Sequence, residues 1–232
     1  LRGTLTLKVS SLAGKLSAKA VLQSGSLSFR GEAWTAAAGK DGSIHAELAA
    51  RGGETLDLFV RQNRIWGTLK SGALGKEVLT LDGARNRFSE RSDAAAQALL
   101  KGFLGYYTVA LPVNRSLSLD TANEAPQGTG YLTITVAANG RVKIAGVLAD
   151  GTKVSQASRL VLFGGDGPEA CVPLFSPLYA KQGWVGGLLW LDPDTRAIVT
   201  DRELGWYTRW EKPASGPGGF SGVRYRNHRP AA

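Results

Sequence analysis

Two stretches of this chain repeat one another, and no other feature restricts its fold as much. Gly3-Thr4-Leu5-Thr6-Leu7-Lys8-Val9 reads like Gly130-Tyr131-Leu132-Thr133-Ile134-Thr135-Val136. In both, apolar and polar residues alternate, the period of a half-buried strand. Glycine and a basic residue follow each block, Gly14-Lys15 and Gly140-Arg141. A second alternating run comes next: Leu16, Ala18, Ala20 and Leu22 in one copy, Val142, Ile144, Gly146 and Leu148 in the other. Each run ends in a turn, Ser24-Gly25 or Asp150-Gly151. Asp-Gly predicts a two-residue type I′ hairpin, whose central residues both need positive φ. Further on, Leu58-Phe59 answers Leu174-Phe175, and Trp66–Leu69 answers Val185–Leu189.

The pattern predicts an all-β fold. Duplicated antiparallel hairpin-rich units form either two small barrels or one pseudo-twofold barrel or sandwich, with one short helix between the copies. Residues 1–105 make the first unit, which carries the connecting helix at 92–102, and residues 106–232 make the second. Strands are expected at 4–9, 15–22, 26–36, 43–49, 55–62 and 64–70, then at 107–112, 131–136, 141–148, 153–163, 171–174 and 186–191. The glycine count of 30 agrees with many tight turns. Ser92-Asp93 caps the expected helix, the alanine-rich run 94–101 propagates it, and Gly102 ends it in a left-handed conformation. Its apolar end plugs a barrel mouth or joins the copies. Residues 114–128 read as a polar loop and 213–219 as a linker. Phe220–Arg226 reads as a strand returning to the opening unit.

No apolar run reaches the ~18 residues a membrane helix needs. The chain begins at Leu1, and residues 1–20 hold no apolar signal core, so it reads as a piece of a longer precursor. The net charge of +9 favours an anionic partner. Catalytic machinery is not legible. His45 falls in a strand and His228 in the tail, and no nucleophile elbow accompanies either. One cysteine, Cys171, and two distant histidines do not make a zinc site. Asp192-Pro193-Asp194 reads as a turn, not an EF-hand. No cofactor is implied.

The aromatics are the remaining candidates. Trp184 and Trp190 sit in apolar stretches and read as core. Trp206 and Trp210 lie four apart, on one face of a strand, with Tyr207 and Arg209 beside them. Trp206, Tyr207, Arg209 and Trp210 are therefore the expected binding residues, aimed at an acidic glycan or another surface protein. Nucleic acid is not favoured, because no RNA-binding or OB-type signature accompanies the basic residues.

The second half resembles a glycine- and aromatic-marked β repeat of large secreted proteins of Verrucomicrobia-type bacteria. The resemblance rests on Gly128–Val136, Gly140-Arg141-Val142, Gly146–Thr152, Pro173-Leu174-Phe175 with Leu178-Tyr179, Gly186–Trp190, and the ending from Trp210 through Gly219-Phe220 to Arg224-Tyr225. It covers about residues 106–227, and a degenerate form covers the first half. The basic tail from Arg224 to Arg229 departs from the usual linker. The resemblance implies a secreted or cell-surface location and a non-catalytic structural or adhesive module. The alternative function is a carbohydrate-active enzyme.

Overall fold

The structure, a computed structural model, describes residues 3–9, 15–36, 42–70, 78–112, 128–162, 170–192, 194–195, 197–199, 208–213 and 223–224. The fold is all-β with one α-helix among these residues. The first sheet holds β1 (Gly3–Val9), β2 (Leu16–Leu22), β3 (Gly25–Gly31), β4 (Thr35–Ala36), β5 (Ile44–Ala50), β6 (Thr55–Arg61), β7 (Arg64–Lys70) and β8 (Val78–Ala84). Its order is β1-β2-β3-β5-β6-β7-β8, with β4 paired to β5. The sheet is a curled half-barrel, open between β1 and β8 among the described residues, not a closed barrel. The helix α1 (Ala94–Phe103) follows. A four-stranded sheet comes next, from β9 (Gly105–Leu111), β10 (Gly130–Val136), β11 (Arg141–Val147) and β12 (Lys153–Arg159). The third sheet holds β13 (Val161–Leu162), β14 (Ala170–Leu178), β15 (Gly183–Leu191), β16 (Ile198–Val199), β17 (Arg209–Glu211) and β18 (Val223–Arg224).

The repeat is visible as register. β1 pairs β2 antiparallel through Leu5↔Ala20, Leu7↔Ala18 and Val9↔Leu16. β10 pairs β11 through Leu132↔Gly146, Ile134↔Ile144 and Val136↔Val142, the same positions in the same order. Two glycines stand at equivalent points for the same reason. A Cβ on Gly3 would lie 2.6 Å from Val21 O, and one on Gly130 would lie 2.9 Å from Val147 O. The equivalence continues past the hairpins: short β4 pairs the start of β5, and short β13 pairs the start of β14. Beyond that the two halves differ, since β3 pairs β5 in one sheet whereas β12 and β14 stand in separate sheets, so pairing gives no register for the looser matches around Phe59 and Trp66.

Local corrections have local causes. Leu148 N bonds Thr152 O at 2.8 Å, leaving a three-residue loop in which Gly151 alone has positive φ, 83°. That is a type I turn with a glycine bulge, not type I′. In the first copy Leu22 pairs Gly25, so the turn is Gln23-Ser24. Asp93 caps α1 by accepting from Ala96 N at 3.0 Å, and Gly102 lies inside the helix, which ends at Leu104 in extended backbone. The expected strand at 153–163 breaks into β12 and β13. β18 pairs β17 in the second half instead of returning to the opening unit.

Two main cores result. The first packs Leu16, Phe29, Leu48, Leu56, Leu58 and Leu69 with several alanines. The second is larger and joins the second and third sheets to α1 through Ala96, Leu100 and Phe103. The helix therefore shares its core with the second half, whereas the sequence pattern places it with the first. Of the alternating residues expected inside, Leu132, Ile134 and Val136 are buried, Leu5 and Leu7 are half-buried, and Val9 is 51% exposed at the end of its strand. Gln156 ties β12 to β14, donating from Nε2 to Pro173 O and accepting from Phe175 N.

Candidate binding surfaces

The expected aromatic site is not assembled on the surface by its described members. Trp206 and Tyr207 lie outside the described residues. Trp210 is fully buried in the second core, so its ring cannot stack on a ligand. Its β17 neighbour pairing, Val185↔Trp210, turns it inward with Val185. Arg209 faces the opposite way, but it is spent within its own sheet. Its guanidinium bonds Glu211 Oε1 at 3.4 Å and lies 6.0 Å from the Trp184 ring centroid. Trp184 Nε1 in turn donates to Glu211 Oε2 at 2.9 Å. Trp184 and Trp190 are both buried, on the outward side of β15.

Trp210 belongs to a polar network instead. Its Nε1 donates to Tyr179 Oη at 3.0 Å, and Tyr179 Oη donates to Asp150 Oδ2 at 2.7 Å. Thr152 Oγ1 donates to Tyr179 Oη at 3.2 Å, and Lys212 Nζ lies 3.0 Å from Asp150 Oδ2. Burial pushes the Asp150 carboxyl up. Hydrogen bonds from Tyr179, from the backbone and side chain of Thr152 and from Lys212 outweigh it and hold the group below its ordinary value. Burial, then donation to Asp150 and that residue's charge, push the Tyr179 phenol up. Tyr179, Ala180 and Lys181 all have positive φ, 51°, 53° and 71°. Such backbone costs on the order of 1–3 kcal/mol per residue and persists only where its surroundings over-determine it. Here the Tyr179 bonds do so, together with Gln23 Nε2 of the first half, which donates to Lys181 O at 3.3 Å.

The outer face of β5–β8 carries a second group. Thr35, His45, Phe59, Trp66 and Asp82 form one cross-strand row. The His45 and Phe59 rings are 4.8 Å apart, and Phe59 and Trp66 are 6.0 Å apart and stacked. His45 Nε2 bonds Asp57, and Arg64, paired to Asp82 by two hydrogen bonds, lies 5.9 Å from the Trp66 ring. The rings stack on each other and the charges are matched, so this row stabilises its own sheet.

The outer face of β9–β12 is different. Burial alternates along β9, β10 and β12 and over Arg141–Ile144 of β11. Tyr106, Thr108 and Ala110 point out from β9, and Tyr131, Thr133 and Thr135 from β10. Arg141 and Lys143 point out from β11, and Lys153, Ser155 and Arg159 from β12. Tyr106 is 66% exposed and Tyr131 48%. Tyr106 is the register partner of Thr135, four residues from Tyr131, so the two rings stand about 14 Å apart along the strands. No Asp or Glu occupies these strands. Arg141, Lys143, Lys153 and Arg159 have no acidic partner among the described residues. Their alternation is legible in the sequence. The missing signal is the absence of acid across neighbouring strands, which needs the register.

Among the described residues no group of His, Cys, Asp or Glu is placed to hold a metal ion. The Cys171 thiol is buried, which pushes its pKa up to about 12. Asp192 Oδ1 accepts from Asp194 N and Thr195 N, the geometry of a turn. No helix of the described residues is long and apolar enough to cross a membrane. No protein-family profile matches the chain, and neither a curated protein nor a solved structure matches it.

Proposed function

We propose that this chain is a non-catalytic adhesive module of a secreted or cell-surface bacterial protein, and that it holds an acidic glycan on the outer face of β9–β12. The observation that carries this reading is the set of exposed, unmatched cations Arg141, Lys143, Lys153 and Arg159 beside two exposed tyrosines. Cations without local acids focus a positive potential over the face. Tyrosine supplies a flat apolar ring for sugar C–H groups and a hydroxyl for orientation. Thr108, Thr135 and Ser155 add exposed hydroxyls. Buried Val109, Leu132, Ile134 and Ile144 hold the sheet from below, so the face is rigid before any ligand arrives. The resemblance to a repeat of large secreted proteins supports the location.

The test is affinity electrophoresis of the full chain through gels containing polygalacturonate, a sulfated galactan, neutral dextran or polyuridylate. The reading expects retardation by an acidic polysaccharide, none by dextran, and relief by salt. Equal retardation by dextran, or stronger retardation by polyuridylate than by either acidic polysaccharide, contradicts it.

A further inference from the structure

The basic face of β9–β12 has a counterpart in the first half. Because β1–β3 and β10–β12 pair in the same register, their outward positions correspond. Thr4, Thr6 and Lys8 stand where Tyr131, Thr133 and Thr135 stand. Ser17 and Lys19 take the places of Lys143 and Ala145, and Ser26, Ser28 and Arg30 those of Lys153, Ser155 and Ala157. The residues differ, yet the surface chemistry is the same: hydroxyls and cations, with no Asp or Glu in β1–β3. Lys8, Lys19 and Arg30 are exposed and have no acidic partner among the described residues. The acidic residues of the first sheet stand on its later strands, as Glu47, Asp57 and Asp82.

We propose that the outer face of β1–β3 is a second binding face for the same acidic glycan, which makes the chain bivalent toward a long polymer. This rests on the reading of the β9–β12 face given above. Charge complementarity selects the occupant: a polyanion gains from a face whose strands offer cations and hydroxyls, with the nearest carboxylates, Glu32 and Glu47, beyond its Arg30 end. The first face lacks the two tyrosines, so it is the weaker for a short ligand. Joined through one folded chain, the two faces act on one polymer at high effective concentration, and avidity exceeds either affinity by on the order of 10²–10⁴ where one polymer reaches both.

Isothermal titration of the full chain with a tetragalacturonate and with long polygalacturonate tests this. One variant carries Lys8→Glu, Lys19→Glu and Arg30→Glu, the other Arg141→Glu and Lys143→Glu. All five residues are exposed, and glutamine versions of both variants repeat the test should charge reversal disturb folding. The expected result is two tetramers per wild-type chain and one per chain in either variant. Polymer affinity falls about 100-fold in each variant. One tetramer per wild-type chain, lost in the β11 variant and unchanged in the β1–β3 variant, overturns the second face and leaves the proposed function standing. No binding of the wild type to either probe overturns both.

Discussion

Trp210 Nε1 donates a hydrogen bond to the Tyr179 hydroxyl at 3.0 Å, deep in the second half of the chain. The bond ties β17 to the left-handed turn at Tyr179–Lys181. Trp210→Ala removes a fully buried indole and costs roughly 3–5 kcal/mol. Trp210→Phe keeps most of the volume, loses the bond and lowers stability by less. Thermal melts of both variants check this. An unchanged melting temperature for Trp210→Ala would mean that the indole is not a core residue.

The same network gives stability a pH dependence at both ends. Asp150 titrates below its ordinary 3.8 in the folded chain. Its contribution is present above pH 3.8 and is lost as pH falls through the lowered value. Tyr179 titrates above its ordinary 10.0. Its contribution is present below pH 10.0 and is lost as pH rises toward the raised value. Melting curves across pH should therefore fall less steeply with acid in Asp150→Asn and less steeply with alkali in Tyr179→Phe than in the wild type. Parallel curves for wild type and variants would contradict the network.

Gly3 and Gly130 test the duplication in a different way. An alanine Cβ at either site meets a neighbouring strand's carbonyl oxygen, Val21 O or Val147 O, closer than van der Waals contact allows. Gly3→Ala and Gly130→Ala should each cost about 1–3 kcal/mol, as overpacking does. Urea denaturation reads this directly. A neutral effect at one site with a loss at the other would show that the copies are not equivalent there.

The fold was legible in the sequence where the two faces of a strand differ chemically. β10 alternates Tyr131, Thr133 and Thr135 with Leu132, Ile134 and Val136, and it was found almost to the residue. β14 and β15 are buried along nearly all their length on both sides, so alternation is lost and the sequence pattern marks only part of each. β8 gives a weak signal because apolar Val78 stands on the outward side and only Thr80 and Asp82 alternate with Leu79 and Leu81. The facing of Trp210 was not legible, since four-residue spacing puts it on one side with Trp206 without saying which side is the core. The candidate face was half legible: outward positions follow from alternation, but the absence of acid beside Lys143 and Arg159 is a property of four paired strands.

The two cores differ in content, and that predicts uneven stability. The second core holds Phe88, Phe103, Tyr107 and Trp210, whereas the first holds Phe29 and the small side chains of Ala18, Ala20 and Ala46. Hydrogen exchange should find the amides of β10, β11, β14 and β15 the most protected and those of β1 and β8, at the open edges, the least. Equal protection across both halves would contradict this ordering.

On the proposed function, the acid-free cations of the β9–β12 face hold an acidic glycan. The most direct measurement is the affinity of the chain for tetragalacturonate in the Arg141→Glu/Lys143→Glu variant, with Arg61→Glu/Lys70→Glu on the outer face of β6 and β7, two exposed positions that shift the net charge equally, as the control. A loss of about tenfold or more is expected in the double variant, since two exposed contacts contribute roughly 1 kcal/mol each, with little change in the control. Equal losses in both would mean that overall charge, and not this face, attracts the ligand.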